Sequence, residues 1–306
     1  MMLGCYYYGW YYGQWLTKTV RAADPPLLGQ YNNTAYGNII TNQMTEMKEA
    51  GIDFISVSCH GEDHGHILDA ANETGIKITY FYESLEKANA ATKWKIDLEA
   101  LPAIIKDMRQ IRKDTDEDCW LRINDRPVMM FYVTRCYKDA AEIFSKIRAE
   151  IPDVYLVGDE YFWDEVPDEK ILLFDAVTSY NMYELRRFSN IISEASKTYL
   201  ENSRKMMNIH SAQCLRLNVP LWGNAMPGYD DSGYRPENKY ISLPRDNGEF
   251  FKKSLQDAIE VATGVEKTIC ITSYNEWFED TQIEPCKSYG KLYLDMITEF
   301  KNENNL

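Results

Sequence analysis

Short β-branched and aromatic runs alternate with longer stretches of helical periodicity along the whole chain. Runs at Leu3–Tyr8, Asp53–Ser58, Lys77–Glu83, Pro127–Val133, Val154–Gly158, Ala176–Tyr180, Val219–Asn224 and Thr268–Tyr274 read as strands. Between them the pattern predicts helices at about Tyr36–Ala50, Ile67–Thr74, Leu98–Lys113, Ala140–Ile151, Ile191–Arg216, Glu249–Thr263 and Tyr289–Lys301. Only a short region around Pro167 follows the fifth strand. Gly75 stands just past a helix end, where a left-handed backbone is needed. Eight βα units with right-handed crossovers close into a single (β/α)₈ TIM-type barrel. The open doubly wound sheet is the alternative, but no glycine-rich phosphate loop follows the first strand. No linker or repeat divides the 306 residues, so one domain spanning 1–306 is expected.

Composition narrows the function. Hydrophobic residues form 45% of the chain and charged residues 26%, enough apolar surface for a large core. No apolar run approaches the roughly 20 residues of a membrane-spanning helix, so no membrane span is expected. With 33 Lys and Arg against 47 Asp and Glu, the net charge of −14 repels a phosphate backbone and speaks against nucleic acid. Seven cysteines, an odd number without a CxxC pair, fit reduced thiols. Together with a tyrosine-rich start that lacks the marks of a secretory signal, they lead to an expected cytoplasmic location. The oligomeric state is unspecified.

In such a barrel the chemistry sits where strands end and loops begin on the C-terminal face. Those positions hold Tyr8, Trp10, Ser58, His60, Glu83, Tyr132, Asp159, Glu160, Tyr180, Asn181, Asn224, Asn275, Glu276 and Glu279. The last strand is the most informative. It runs into Ser273-Tyr-Asn-Glu-Trp-Phe-Glu-Asp-Thr-Gln-Ile-Glu-Pro285, which carries three glutamates. Carboxylates crowded after an apolar strand repel one another, a cost that suggests use. Glycoside hydrolysis needs one carboxyl that donates a proton and another that is ionised. Trp277 between them offers an apolar wall and a face for a sugar ring. Spacing alone also admits a solvated acidic loop.

This segment resembles the signature of glycoside hydrolase family 99, the endo-α-mannosidases and endo-α-mannanases, roughly SFNEWHEGTQIEP. Met226-Pro-Gly-Tyr-Asp-Asp231, Arg235-Pro236 and Arg245-Asp-Asn-Gly248 are similar to the family's GPGYDD…RP…R-NG stretch, in the same order. Weaker echoes run from Tyr6–Trp10 to Gly75-Ile-Lys77. The resemblance implies a (β/α)₈ barrel and retaining, endo-acting hydrolysis of an α-mannose-containing oligosaccharide or polysaccharide. It further implies that Glu276 deprotonates the sugar 2-hydroxyl, which closes on C1 as a 1,2-anhydro intermediate. Glu279 would serve as general acid and then general base. No metal and no cofactor are implied for this chemistry.

Four departures mark a divergent member. Phe278 stands where the family usually has His, removing a titrating group. Asp280 replaces a Gly, so it must accept the glycine's backbone, and its charge is expected to raise the neighbouring carboxyl pKa values. Ser58-Cys59-His60 replaces SWW or SWY, and Phe81-Tyr82-Glu83-Ser84-Leu85 keeps only the glutamate of HxEPY. These changes leave three readings open: a hydrolase, a glycosyltransferase-like protein of surface-polysaccharide assembly, or an inactive sugar-binding barrel.

The remaining candidates have bland counterparts. His60-Gly-Glu-Asp-His-Gly-His66 could bind a metal, but a loop hydrogen-bonding sugar through His60 or Glu62, or a solvated turn capping the next helix, explains it as well. Glu83 is a candidate sugar contact or an ion-pair partner. Tyr8 and Trp10 belong to an aromatic run extending to Trp15 that exceeds what one strand can bury. Tyr132, Tyr180, Asn224 and Asn275 enter as strand-end candidates for substrate binding. Tyr229 and Arg235 enter through the second block, where an Arg-Pro loop is equally a structural clamp.

Overall fold

The structure, a computed structural model, describes residues 1–11, 25–33, 37–62, 64–88, 95–160, 166–180, 192–235 and 242–304. Of the positions named above, Trp15, Tyr36, Asp63, Asn181, Ile191 and Pro236 lie outside the described residues.

Eight parallel strands form the barrel wall: β1 (Met2–Tyr7), β2 (Phe54–Cys59), β3 (Lys77–Tyr82), β4 (Arg126–Phe131), β5 (Tyr155–Asp159), β6 (Ala176–Thr178), β7 (Gly223–Ala225) and β8 (Thr268–Ile271). Their order is β6-β5-β4-β3-β2-β1-β8-β7. The seam between β6 and β7 is closed by a parallel bridge, with Val177 N–H donating to Pro220 O at 2.9 Å and Trp222 N–H to Val177 O at 2.8 Å. First and last strands run side by side in register from Met2 opposite Thr268 to Cys5 opposite Ile271. β2 is buried at every residue and β1 and β3 at all but their first, as expected of parallel strands covered on both faces.

The helices are α1 (Gly37–Glu49), α2 (Gly65–Thr74), α3 (Leu101–Asp114), α4 (Ala140–Glu150), the single turn α5 (Asp168–Ile171), α6 (Ile192–Leu217), α7 (Glu249–Val261) and α8 (Leu292–Glu303). Each buries one stripe against the wall; in α3 it is Ile104, Met108 and Ile111. Gly75 ends α2 at φ +72° and its N–H donates to Ala71 O at 2.8 Å, the left-handed stop expected there. Gly223 has a different reason to be glycine. A Cβ there would sit 2.3 Å from the Ala258 carbonyl oxygen, so α7 presses directly on the β7 backbone.

Two short features were not foreseen. Arg122–Ile123 pairs antiparallel with the start of β4, and Tyr229–Asp230 pairs with Ser242–Leu243 in a ribbon above the barrel.

Candidate active site

Side chains on a strand alternate between faces, so residues two apart share one. Tyr6 and Tyr8, Phe81 and Glu83, and Ser56 and Ser58 are such pairs. Tyr6 packs on Phe81 at 4.7 Å and edge-on to Tyr180 at 4.8 Å, flooring the barrel mouth with aromatic rings. Above this floor opens a cleft of about 610 Å³, lined by Tyr8, Trp10, His60, Phe81, Glu83, Leu85, Glu86, Tyr132, Tyr180, Tyr234, Arg235, Glu276, Phe278 and Glu279. Its size and its mix of aromatic and polar walls suit a small-molecule or oligosaccharide ligand.

Glu276 and Glu279 reach the cleft from the turn after β8. Glu276 is only 4% exposed, its N–H donates to Ser273 Oγ at 2.8 Å, and its Oε1 accepts the Phe278 N–H at 3.0 Å. Burial raises its pKa well above the usual carboxylate value, and the negative charge of Glu279 adds to the effect. Glu279 is also raised by burial, but Arg235 opposes this. Arg235 Nη1 lies 3.3 Å from Glu279 Oε1 and 2.9 Å from Asp231 Oδ2. On the other side Tyr8 donates to the Tyr180 hydroxyl at 2.7 Å, and Tyr180 donates to Glu279 Oε2 at 3.3 Å. The ribbon holds the backbone of Glu279, whose carbonyl accepts the Asp230 N–H at 2.8 Å. Glu83 enters from β3, accepts the Ser58 hydroxyl at 2.8 Å, and is pushed up to about 8 by burial. His60 Nδ1 faces Glu86 Oε2 at 3.0 Å on the rim.

Four sequence-stated candidates sit elsewhere. Trp277 points into the protein rather than at a ligand: it is 4% exposed and its indole N–H donates to Glu284 Oε2 at 2.8 Å. The cleft's apolar faces come instead from other residues, among them Phe278, Trp10, Tyr234 and Phe81. Asn275 is fully buried, with Oδ1 accepting the Tyr8 N–H at 2.8 Å and Nδ2 donating to Tyr8 O at 2.9 Å. It fastens the turn carrying Glu276 and Glu279 to the end of β1 and has its side chain turned away from the cleft. Asn224 donates to Thr272 Oγ1 at 2.8 Å and faces α6 and α7 instead of the cleft. Tyr229 is itself a strand residue of the ribbon, paired with Leu243, and is buried.

Asp280 also departs from expectation. It does adopt the left-handed backbone of a glycine, at φ +51°. Its carboxylate turns to the buried Arg245, 3.4 Å from Nη2, and to Gln282 Nε2 at 3.2 Å. The leading influences are burial, Glu279, Arg235 and Glu83 on Glu276, and burial, Arg235, Asp231 and Tyr180 on Glu279; the Asp280 carboxylate faces Arg245 instead.

Strand ends also hold groups that support the site from below. Asp159 is buried, is raised to about 7 by burial, and accepts the N–H groups of Val133 at 3.0 Å and Tyr180 at 2.6 Å. Val133 is held at φ +46°, where a β-branched residue is strained, directly beside Tyr132 of the cleft. Glu160 is structural, pairing with Lys170 at 3.1 Å and accepting from Thr134 at 2.8 Å. Glu284, the third glutamate of the turn, accepts from Tyr31 and Trp277 on one oxygen and from Gln43 on the other, each at 2.8 Å. Its role could not be read from spacing, since a carboxylate caged by three neutral donors looks like any other Glu in a sequence.

Comparison with known proteins decides the lineage. The sequence model of Glycosyl hydrolase family 99 matches residues 16–302. The chain belongs to glycosyl hydrolase family 99. A mouse glycoprotein endo-alpha-1,2-mannosidase-like protein is 40% identical over 299 residues, covering 89% of this family 99 chain and 60% of the relative. A zebrafish (Danio rerio) protein of the same description is 42% identical over 87 residues, 28% of this chain and 19% of the relative. The chain thus spans at most about 60% of the length of these two relatives. In three dimensions it is similar to the GH99 endo-alpha-mannosidase of Bacteroides thetaiotaomicron, with a TM-score of 0.75 at 20% identity, covering 99% of this chain and 97% of that one. That likeness establishes the (β/α)₈ barrel for the family 99 chain.

Proposed function

We propose that this family 99 protein is a retaining, endo-acting glycoside hydrolase of an α-mannose-containing glycan. The observation that carries the reading is the placement of Glu276 and Glu279, three residues apart, in one aromatic-lined cleft at the C-terminal mouth of the barrel. The names of the mouse and zebrafish relatives supply the sugar class.

The chemistry follows from two carboxyls with raised pKa values. Burial raises both, and the charge of Glu279 hinders ionisation of Glu276, so the pair holds a shared proton more firmly than two free carboxyls would. In the proposed reaction the Glu276 carboxylate takes the proton of the sugar 2-hydroxyl, whose oxygen attacks C1. As the C1–O bond to the leaving sugar breaks, Glu279 gives its proton to the departing oxygen. The resulting 1,2-anhydro sugar is opened at C1 by a water that Glu279 deprotonates, and O2 recovers its proton from Glu276. Two displacements at C1 give net retention. Arg235 favours the ionised form of Glu279, whereas the reaction needs Glu279 protonated and Glu276 ionised, so substrate binding has to shift the pair's shared proton from Glu276 to Glu279 before the first step.

The test is a panel of α-mannose-containing oligosaccharides, with products read by mass spectrometry. Wild type should release an oligosaccharide. Glu279→Gln should lose about 10²- to 10⁴-fold in rate while keeping its circular dichroism. Full activity in that variant overturns the reading. Binding without cleavage by wild type would favour a sugar-binding barrel, and transfer from an activated sugar donor would favour a transferase.

A further inference from the structure

The turn leaving β2 gathers three donor atoms of different kinds. Cys59 ends the strand, and the Gly61 N–H donates back to its Sγ at 3.2 Å. Gly61 lies at φ +98°, and a Cβ there would fall 2.6 Å from Asp107, so the turn is held tight. Glu62 Oε2 accepts the His60 N–H at 2.7 Å, which leaves Oε1 facing His64 Nε2 at 3.2 Å. His64 precedes α2, yet its side chain makes no capping hydrogen bond to that helix. Its ring packs on Tyr80 at 5.2 Å, and its Nε2 is buried and faces the Glu62 carboxylate. Sulfur, carboxylate oxygen and imidazole nitrogen all lie within 4.8 Å of one another.

We propose that Cys59, Glu62 and His64 bind one divalent cation of the zinc class, which pins the loop between β2 and α2. A thiolate, an imidazole and a carboxylate form a borderline-soft donor set that suits Zn²⁺ and Co²⁺. With metal–nitrogen and metal–oxygen bonds of about 2.0–2.2 Å, tetrahedral ligands stand roughly 3.3 Å apart, close to the separation of His64 Nε2 from Glu62 Oε1. Thiolate and carboxylate together balance the charge of the cation. The outer contacts are already in place: Gly61 N–H on the sulfur and His60 N–H on the second carboxylate oxygen orient both ligands. The same loop carries His60 to the rim of the cleft, so the cation would fix one wall of that cleft and take no part in bond cleavage. The site rests on its own geometry, independent of which reaction the cleft performs.

The experiment titrates the metal-free full chain with Co²⁺ and then displaces it with Zn²⁺. Wild type should bind one equivalent of Co²⁺ with a thiolate-to-cobalt charge-transfer band in the near ultraviolet, and Zn²⁺ should raise its Tm. Cys59→Ser should lose the band. Glu62→Gln, at an exposed position that folding tolerates, should weaken Co²⁺ binding at least about tenfold, since even loss of an outer partner costs that much. Absence of the band in wild type, its survival in Cys59→Ser, or unchanged affinity in Glu62→Gln would each overturn the site.

Discussion

Arg235 and Glu279 are joined at 3.3 Å across the mouth of the cleft, and the same guanidinium nitrogen holds Asp231 at 2.9 Å. One cation therefore serves two carboxylates, one of them a proposed acid. The arginine lowers the pKa of Glu279 against the upward push of burial, and so sets how long that carboxyl keeps its proton as pH rises.

Arg235→Gln removes the opposing influence. The pKa of Glu279 should rise, and a general acid with a higher pKa stays protonated to higher pH. The alkaline limb of kcat/KM against pH should therefore move upward in the variant, and a limb that stays in place or moves down would contradict the assignment.

Asn275→Ala removes the two hydrogen bonds that Asn275 makes to the Tyr8 backbone in a fully buried setting. The Tyr8 carbonyl keeps the Asn33 amide at 2.9 Å, so the orphaned N–H alone should lower stability by about 2 kcal/mol in urea unfolding. Activity should fall further than stability explains, because the turn carrying Glu276 loses its tie to β1. Unchanged kcat in the folded variant would show that the tie does not position the glutamate.

Glu284 is raised to about 7 by burial, against the pull of its three donors. An acid raised in the folded state stabilises fully below its unfolded pKa of about 4.3 and loses that contribution as pH climbs toward 7. Glu284→Gln cannot titrate. The stability advantage of wild type over this variant should shrink from pH 4 to pH 7 and level off above, as read by urea midpoints across that range. An advantage that grows with pH would mean that the three donors outweigh burial.

Gly223→Ala would place a methyl group 2.3 Å from the Ala258 carbonyl oxygen, a backbone atom with nowhere to move. Overpacking of this kind should destabilise by about 3 kcal/mol. The affected contact lies between β7 and α7, so a folded variant should keep its kcat; a neutral effect on stability would mean that α7 shifts freely.

The barrel was legible in the sequence because seven of its eight strands contain β-branched or aromatic residues, β7 being marked only by the Val219–Trp222 run just ahead of it, and because Gly75 marks a helix end by backbone need alone. The two-residue strands at Arg122–Ile123 and Tyr229–Asp230 were not, being too short to show any alternation. At the site, Glu276 and Glu279 stood out as carboxylates after an apolar strand. Asn275 and Trp277 lie in the same run yet turn inward, since past the strand's end the period of two no longer says which way a side chain points. Asn224 looked like a strand-end candidate for the same reason. The effect of Asp280 was misjudged because its partner Arg245 is 35 positions away, and charge compensation at that distance has no local signature.

The clasp of Asn275 on Tyr8 spans 267 positions of sequence. On a ribosome the first strand emerges early and waits, edge unpaired toward its final neighbour, while nearly the whole chain is made. Neither glutamate has a place to dock until the last strand arrives beside it. A nascent chain stopped before β8 can hold most of the wall and most of the aromatic floor, but it lacks both of the proposed catalytic glutamates. Competence for chemistry thus comes late and all at once, when the two ends of the barrel meet.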